Sequence, residues 1–378
     1  MALRGIKVIE MMGLAPGPLC GTILADFGAN VTVIQKINPS PFDVMSNGKR
    51  MISVNMKSKE GIEIVQKLCL SADVLLDTFR PGVMEKLGLG PEQMMKGNKK
   101  LIYARLTGYG QSGIYKDKGG HDINYTAMSG ILSLLRKGNN PPVPPLNFTA
   151  DFAGGSVACA LGIVLALYAR TSTGAGQVVD ASMAEGAAYV GTWLFKSRNL
   201  PIWASEHGSN ILDGGSPFYS TYKTKDNKFM AVGALEPQFY DNFLKGLQLS
   251  QDEFSQFSDP ELMRKKFEEL FLTKTQQEWS QIFDGLDACV TPVLELDQLA
   301  DNKCTKSRGS FYQNEEDLPV PEPAPRLSRT PGVSTGRLPL PQPGEHTIQI
   351  LQELKYNKKQ IQSFINNGTV YAKVNANL

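Results

Sequence analysis

Between residues 7 and 106, short apolar runs of strand length alternate with stretches of helical periodicity, and no other feature restricts the fold as much. Residues 7–9, a Gly-Leu-Ala-Pro-Gly-Pro turn, a periodic stretch at 19–27 and an apolar run at 31–35 read as a βαβ unit. A helix at 61–71, a strand at 74–77, a helix at 83–87 and a strand at 101–106 continue the pattern. Such alternation argues for a parallel sheet in an α/β fold. The first loop carries Gly13 and Gly17, but not in GxGxxG spacing, and its prolines lack the N–H donors a phosphate needs. A nicotinamide-binding fingerprint is therefore absent.

Farther along, long helices are expected near 152–170 and 181–194. Runs at 219–222 and 229–234, joined by Lys225-Asp226-Asn227, read as a β-hairpin that opens a smaller lobe. Amphipathic stretches at 238–247 and 259–271 extend this lobe to about Val293. The proline-rich stretch 318–343 reads as an extended linker, and a last helix at 346–354 returns to the first lobe. The uncharged stretch 152–169 approaches membrane-span length, yet it is crowded with Gly, Ala, Ser and Cys and follows Asp151. A buried, tightly packed helix is expected there, not a membrane span.

Charge narrows the range of partners. Lys plus Arg number 39 against 37 Asp plus Glu, which supplies neither a nucleic-acid footprint nor a polybasic membrane patch. Small molecules or copies of the chain itself are the expected partners. The five cysteines (Cys20, Cys69, Cys159, Cys289, Cys304) form no CxxC pair and have no metal-like spacing to histidine, so no metal site and a reducing compartment are expected. The strand-like N-terminus does not read as a signal peptide.

Three histidines can be weighed singly. His121 sits in Gly-Gly-His-Asp-Ile-Asn-Tyr, where a glycine-rich loop hands over to a helix; that position favours a neutral imidazole able to act as a base. His207 lies in a loop after Trp203, and His346, beside Glu345, reads as an ordinary helix cap. Asp151 stands in Asn-Phe-Thr-Ala-Asp-Phe-Ala-Gly-Gly. It reads either as a helix-capping aspartate or as a site residue, since Gly154 and Gly155 behind it allow a ligand or another backbone to come close.

These residues, taken together, carry a resemblance. The loop Gly13–Pro18 with Leu24–Ala29, the run from Arg105 to Gly113, the His121 loop, and Ala150–Gly155 occur in one order with four further segments. Those are Gly-Gln-Val-Val-Asp at 176–180, Tyr-Lys-Thr-Lys-Asp at 222–226, Ala-Cys-Val-Thr-Pro-Val at 288–293 and Gly-Glu-His-Thr at 344–347. Over nearly its full length the chain resembles the α-methylacyl-CoA racemases of the class III CoA-transferase family. The resemblance implies a large doubly wound parallel-sheet α/β domain (residues 1–185 and 326–378) and a small α+β domain (219–307), with linkers at 186–218 and 308–325. It also implies an interlocked homodimer with the active site between one subunit's large domain and its partner's small domain.

The resemblance further implies roles. His121 and Asp151 are the two acid/base residues on opposite faces of the substrate α-carbon, Glu236 orients His121, Asn147 hydrogen-bonds Asp151, and the backbone N–H of Asp122 meets the thioester oxygen. Without the family, Glu236 reads as a solvated residue after a strand. Gly120, Ile123, Asn124 and Tyr125 are expected against the substrate, and Lys36, Val54, Asn55, Met56, Lys57, Arg80 and Arg105 around the nucleotide end of coenzyme A. Lys36 stands where the family usually carries an arginine, and a lysine does not bind phosphate bidentately. Met11, Met12 and Met183 are expected to offer an adaptable surface to the acyl chain.

The implied substrates are branched-chain 2-methylacyl-CoA thioesters of fatty acid and bile acid metabolism. Coenzyme A is part of the substrate and no separate cofactor is expected. The implied location is the peroxisome, with the mitochondrion as a second site; the C-terminal Asn-Ala-Asn-Leu ends in Leu378 but has Asn377 where a peroxisomal signal carries a basic residue. A rival activity within the family is CoA transfer between carboxylic acids with Asp151 as nucleophile, for which a base at His121 is superfluous. A third reading is a non-catalytic acyl-CoA-binding scaffold, which would tolerate loss of both residues.

Overall fold

A computed structural model describes residues 1–37 and 43–373; the C-terminal tetrapeptide at 375–378 lies outside the described residues. In chain order the first run comprises β1 (Lys7–Met11), α1 (Pro16–Asp26), β2 (Asn30–Gln35), β3 (Arg50–Val54), α2 (Lys59–Leu70), β4 (Val74–Asp77), α3 (Val83–Lys86), α4 (Pro91–Gly97) and β5 (Ile102–Thr107). It continues with α5 (Asp122–Met128), a π-helical segment (Phe148–Val157), α6 (Ala158–Thr173), β6 (Val178–Ser182) and α7 (Met183–Val190). Next come α8 (Thr192–Ser197), β7 (Tyr219–Lys223), β8 (Phe229–Gly233), α9 (Pro237–Leu247), α10 (Pro260–Phe271), α11 (Gln276–Asp284), β9 (Val290–Pro292) and α12 (Lys303–Arg308). The chain closes with β10 (Phe311–Gln313), β11 (Pro319–Pro321), α13 (Thr347–Glu353), α14 (Lys358–Asn366) and β12 (Val370–Tyr371).

Two compact units result: Met1–Ile131 with Pro145–Gly191 and the chain from Ser307 onward, and Leu132–Pro144 with Thr192–Lys306. The first is built on a seven-stranded sheet of order β12-β3-β2-β1-β4-β5-β6. All neighbours pair in parallel except β12, which runs antiparallel to β3. Successive strand side chains point to opposite faces, and both faces are apolar. Val8, Val74, Leu76, Ile102 and Ala104 pack with Cys20 and Leu24 of α1 and Cys159 and Ile163 of α6. Ile9, Leu75 and Tyr103 pack on the other side with Ile64, Met94, Ile350 and Ile361. Helices on both faces of a mostly parallel sheet make the fold doubly wound.

A wholly buried ion pair lies within this core. Lys49 Nζ is 2.9 Å from Glu10 Oε2 and also donates to the Pro18 carbonyl at 2.8 Å. Burial raises the Glu10 carboxyl from its ordinary range, and Lys49 opposes that rise.

The second unit has an antiparallel sheet of order β7-β8-β9. Its core is aromatic, with Tyr222, Tyr240, Phe243, Phe267, Phe271, Trp279 and Phe283 packed among the helices. Asn227, at φ 61°, turns the hairpin in the left-handed region that asparagine tolerates.

Several boundaries differ from the sequence expectation. Residues 186–190 complete α7, and Gly191 caps it, in the first unit, whereas 192–218 belong to the second, which also takes 132–144 and runs past Val293 to Lys306. Residues 308–325, expected as a linker, hold the β10–β11 hairpin of the first unit. The extended proline-rich stretch is strapped to the end of α1. There Val333 N–H donates to the Asp26 carbonyl, and the Thr335 N–H and hydroxyl both donate to the Asp26 carboxylate.

The apolar helix is not buried all round. Cys159, Ala160, Ile163, Ala166 and Leu167 face the core, while Leu165 and Tyr168 are 58% and 75% exposed. Helical periodicity puts Leu161, Val164, Leu165 and Tyr168 on one stripe, and that stripe is uncovered in the single chain.

Candidate active site

The strand order reverses between β1 and β4. In such sheets ligands bind in the crevice outside the carboxyl ends of the strands at this switch point. A cavity of about 600 Å³ lies there, lined by Leu14, Pro16 and Gly17 after β1, Thr78, Arg80 and Pro81 after β4, and Thr107, Gly108 and Tyr109 at and after β5. Gly13 and Gly17 serve the wall of this cavity. A Cβ on either would fall 2.4 Å from an atom of Thr78, whose hydroxyl donates to the Met11 carbonyl at 3.1 Å. These glycines let the two loops touch, which explains their presence without a dinucleotide motif.

His121 and Asp151 line the same cavity. His121 precedes α5, and its N–H donates to the Asn124 side-chain oxygen at 3.1 Å, closing the first turn. Tyr125 supports the approach loop: its hydroxyl donates to the Gly120 carbonyl and its ring packs edge-on to Tyr109 with centroids 5.0 Å apart.

Asp151 lies in the wide-turned π-helical segment, not at the head of an α-helix as expected. This segment packs against α7 through glycine. A Cβ on Gly154 would fall 2.2 Å from the Ala187 nitrogen, and one on Gly186 would fall 1.8 Å from the Gly154 oxygen. The neighbour that Gly154 admits is thus another backbone.

Asp151 is half-buried, and its carboxyl is raised above the ordinary carboxylate range by burial and then by the nearby Asp122 charge. A hydrogen bond from Asn147 and the proximity of His121 oppose the rise. Asp122 itself is buried, its Oδ2 accepting the N–H groups of Ala150 (2.7 Å) and Asp151 (2.9 Å) and its Oδ1 the Thr126 hydroxyl (3.0 Å).

The remaining candidates separate. Lys36, Lys57 and Arg80 are exposed and follow the carboxyl ends of β2, β3 and β4. Those ends span three strand spacings, roughly 14 Å. Val54 is in the core, so its side chain is unavailable to a ligand. Asn55 is engaged locally, accepting from Lys57 N–H and donating to the Gly368 carbonyl, and Met56 packs against the core.

Arg105 requires correction as a phosphate contact. It is buried, with Nε 3.2 Å from Asp77 and Nη1 2.7 Å from Glu85. Two carboxylates already neutralise it, and the triad ties β4, β5 and α3 together. Burial pushes the Asp77 carboxyl up to about 6, against the Phe79 N–H and Arg105.

Ile123 is exposed, and Glu236 is an exposed residue at the head of α9 in the second unit. Of the methionines, Met183 lines the cavity and Met11 is wholly in the core. His346 is structural: its Nδ1 accepts the Met51 N–H at 3.2 Å, and burial lowers its basicity. His207 lines a separate 230 Å³ cavity in the second unit with Trp203 and Asp213.

Sequence reading missed Lys116 and Lys118, which add two cations to the cavity wall beside Arg80. The signal that could have found them is their place between the end of β5 and the His121 loop, at the carboxyl edge of the sheet.

Comparison with known proteins bears on the family to which the chain belongs. The profile of CoA-transferase family III matches residues 3–347. The alpha-methylacyl-CoA racemase of Mus musculus is 50% identical over 383 residues, covering 100% of both chains. The Homo sapiens protein of the same name is 50% identical over 366 residues, with 96% of this chain and 95% of that one covered. A CAIB/BAIF family protein from Brucella suis, of known crystal structure, superposes with a TM-score of 0.76 at 22% identity, covering 93% and 99% of the two chains. That last likeness speaks for the fold alone.

Proposed function

The chain belongs to CoA-transferase family III, and on that premise we propose that it is a racemase interconverting the 2R and 2S forms of 2-methylacyl-CoA thioesters by proton transfer between two bases. The observation that carries this reading is the placement of His121 and Asp151 on one cavity at the switch point of the sheet. A proton α to a thioester is a weak acid, and its removal needs aimed donors at the developing enolate oxygen. The Asp122 amide, in the first turn of α5 where N–H groups lack intrahelical acceptors, supplies one. Inversion needs a base on each face, because a single base only exchanges the proton with retention. His121 takes the proton from the 2S substrate and Asp151 from the 2R substrate, the other residue returning one each time. Asn147 holds the Asp151 carboxylate. Coenzyme A is part of the substrate, and the chemistry draws on protein groups alone.

CoA transfer through Asp151 as nucleophile is less well supported. Such transfer leaves His121 without a role on the cavity, whereas inversion uses both groups. Lys36, Lys57 and Arg80, with Lys116 and Lys118, supply cations for the phosphates of the CoA moiety. Met183 offers a flexible surface to a branched acyl chain. The uncovered stripe of α6 favours a homodimer, since apolar surface of this kind marks protein contacts. Peroxisomal residence, with the mitochondrion second, rests on the family resemblance, and fusion of the last dozen residues to a fluorescent protein tests that tail as an address.

Incubation of each 2-methylacyl-CoA enantiomer in D2O tests the activity. Deuterium is expected at the α-carbon of both enantiomers with convergence to a near-equal mixture. Oxygen-18 passing from a free acid into Asp151, with no α-exchange, would replace this reading by the transferase.

A further inference from the structure

Three donors converge on the Asp122 carboxylate, and two of them come from residues 28 and 29 positions away: the amides of Ala150 and Asp151. These amides open the π-helical segment Phe148–Val157. The first N–H groups of any helix lack acceptors within it, and are ordinarily met by a capping side chain just upstream. Here Asn147 precedes the segment without capping it, and the cap comes instead from the first residue of α5. That same residue follows His121 directly. We infer that the Asp122 side chain is a positioning residue of the acid/base pair, capping the Asp151 segment from the helix that His121 directly precedes and so holding both groups in one frame. The inference rests on the two-base reading above and adds to the backbone role of Asp122 a separate one for its carboxylate.

An asparagine in this place would accept the same amides, so the charge needs its own reason. A charge-assisted acceptor grips N–H groups more strongly than a neutral one. It also sets a negative charge beside Asp151, the second-largest cause holding that carboxyl above its ordinary range. His121, at the head of α5, and Tyr125 on α5 also act on Asp151. Tyr109, Arg80, Lys116 and Lys118 line the same cavity, and Glu185 stands on α7, which packs against the Asp151 segment. Asn147 contributes a neutral hydrogen bond.

The test compares the full-length protein with its Asp122→Asn, Asp122→Ala and Asp151→Asn variants. α-Deuterium exchange is followed with each enantiomer from about pH 5 to 9, beside thermal unfolding. Asp122→Asn keeps an acceptor oxygen and loses the charge, so the acid limb for the 2R substrate, where Asp151 is the base, is expected to move to lower pH. The alkaline limb for the 2S substrate, where protonated Asp151 is the donor, is expected to move the same way. Asp122→Ala frees both amides, and kcat is expected to fall about 10²-fold with KM retained, the usual consequence of misplacing a reacting group by about 1 Å.

Limbs that stay in place in Asp122→Asn, or a folded Asp122→Ala with wild-type kcat, would overturn the assignment. If Asp122→Ala does not fold, the limbs of Asp122→Asn decide alone. Full exchange in Asp151→Asn on the 2R substrate would instead sink the two-base reading, whereas an inactive Asp151→Asn beside unaltered Asp122 variants removes only the role of Asp122.

Discussion

At the scale of single residues, His121 and Asp151 should fail differently. On the two-base proposal, His121→Ala removes one base while leaving the first-turn amides of α5 in place, so substrate binding is expected to survive as racemisation falls about 10²–10⁴-fold. Asp151→Asn keeps the side-chain shape and is expected to fall by a similar factor. Each variant retains the opposite base. Slow deuterium exchange should therefore persist for the 2R substrate in His121→Ala and for the 2S substrate in Asp151→Asn, read by mass spectrometry of the recovered thioester. Equal loss on both enantiomers in both variants would contradict the division of labour. A second residue-scale prediction concerns the buried Glu10–Lys49 pair. Lys49→Met leaves a carboxylate uncompensated under α1 and is expected to destabilise the protein by about 3–5 kcal/mol, whereas replacing both partners by methionine should recover most of that in urea unfolding.

At the scale of elements, the contact between the π-helical segment and α7 has no slack. Gly186→Ala sets a methyl against the Gly154 carbonyl and is expected to cost about 1–3 kcal/mol by overpacking. Because the segment carries Asp151, kcat should fall more than the loss of folded protein explains, a difference that active-site titration beside thermal unfolding reveals. This contact illustrates what a sequence conceals. The strands β1, β2, β4 and β5 were legible because they are largely apolar runs of strand length bounded by turns, and the His121 loop because glycines hand over to a helix. By contrast, β6 has exposed and half-exposed positions along most of its length and only pairs at the sheet's edge, so its residues carry little strand signal. A π-helical stretch has the same composition as the α-helix expected there. The local use of Asn55, the neutralisation of Arg105 and the grip of Asp122 on Asp151 depend on residues remote in sequence, which no periodicity can report.

At the scale of the whole molecule, the uncovered stripe of α6 is the feature most in need of a partner. With Leu165 and Tyr168 exposed in the single chain, the homodimer proposed above predicts that Leu165→Glu shifts the protein toward monomer in sedimentation velocity, by placing a charge where the proposed contact is apolar. Unchanged sedimentation would place the contact elsewhere. The sheet of the first unit has a different dependence on distant chain. β3 is flanked on one side by β12, and Asn55, just beyond β3, meets Gly368 across 313 positions of sequence. At a ribosomal rate of about 5–20 residues per second, roughly 15–60 s separate the emergence of these two segments. For that interval β3 presents an unpaired edge of the kind that recruits other chains. The edge beside Asn55 and Lys57 is thus completed late in the life of the nascent chain, and the protein's vulnerability to misassembly is set by a clock as well as by its folded stability.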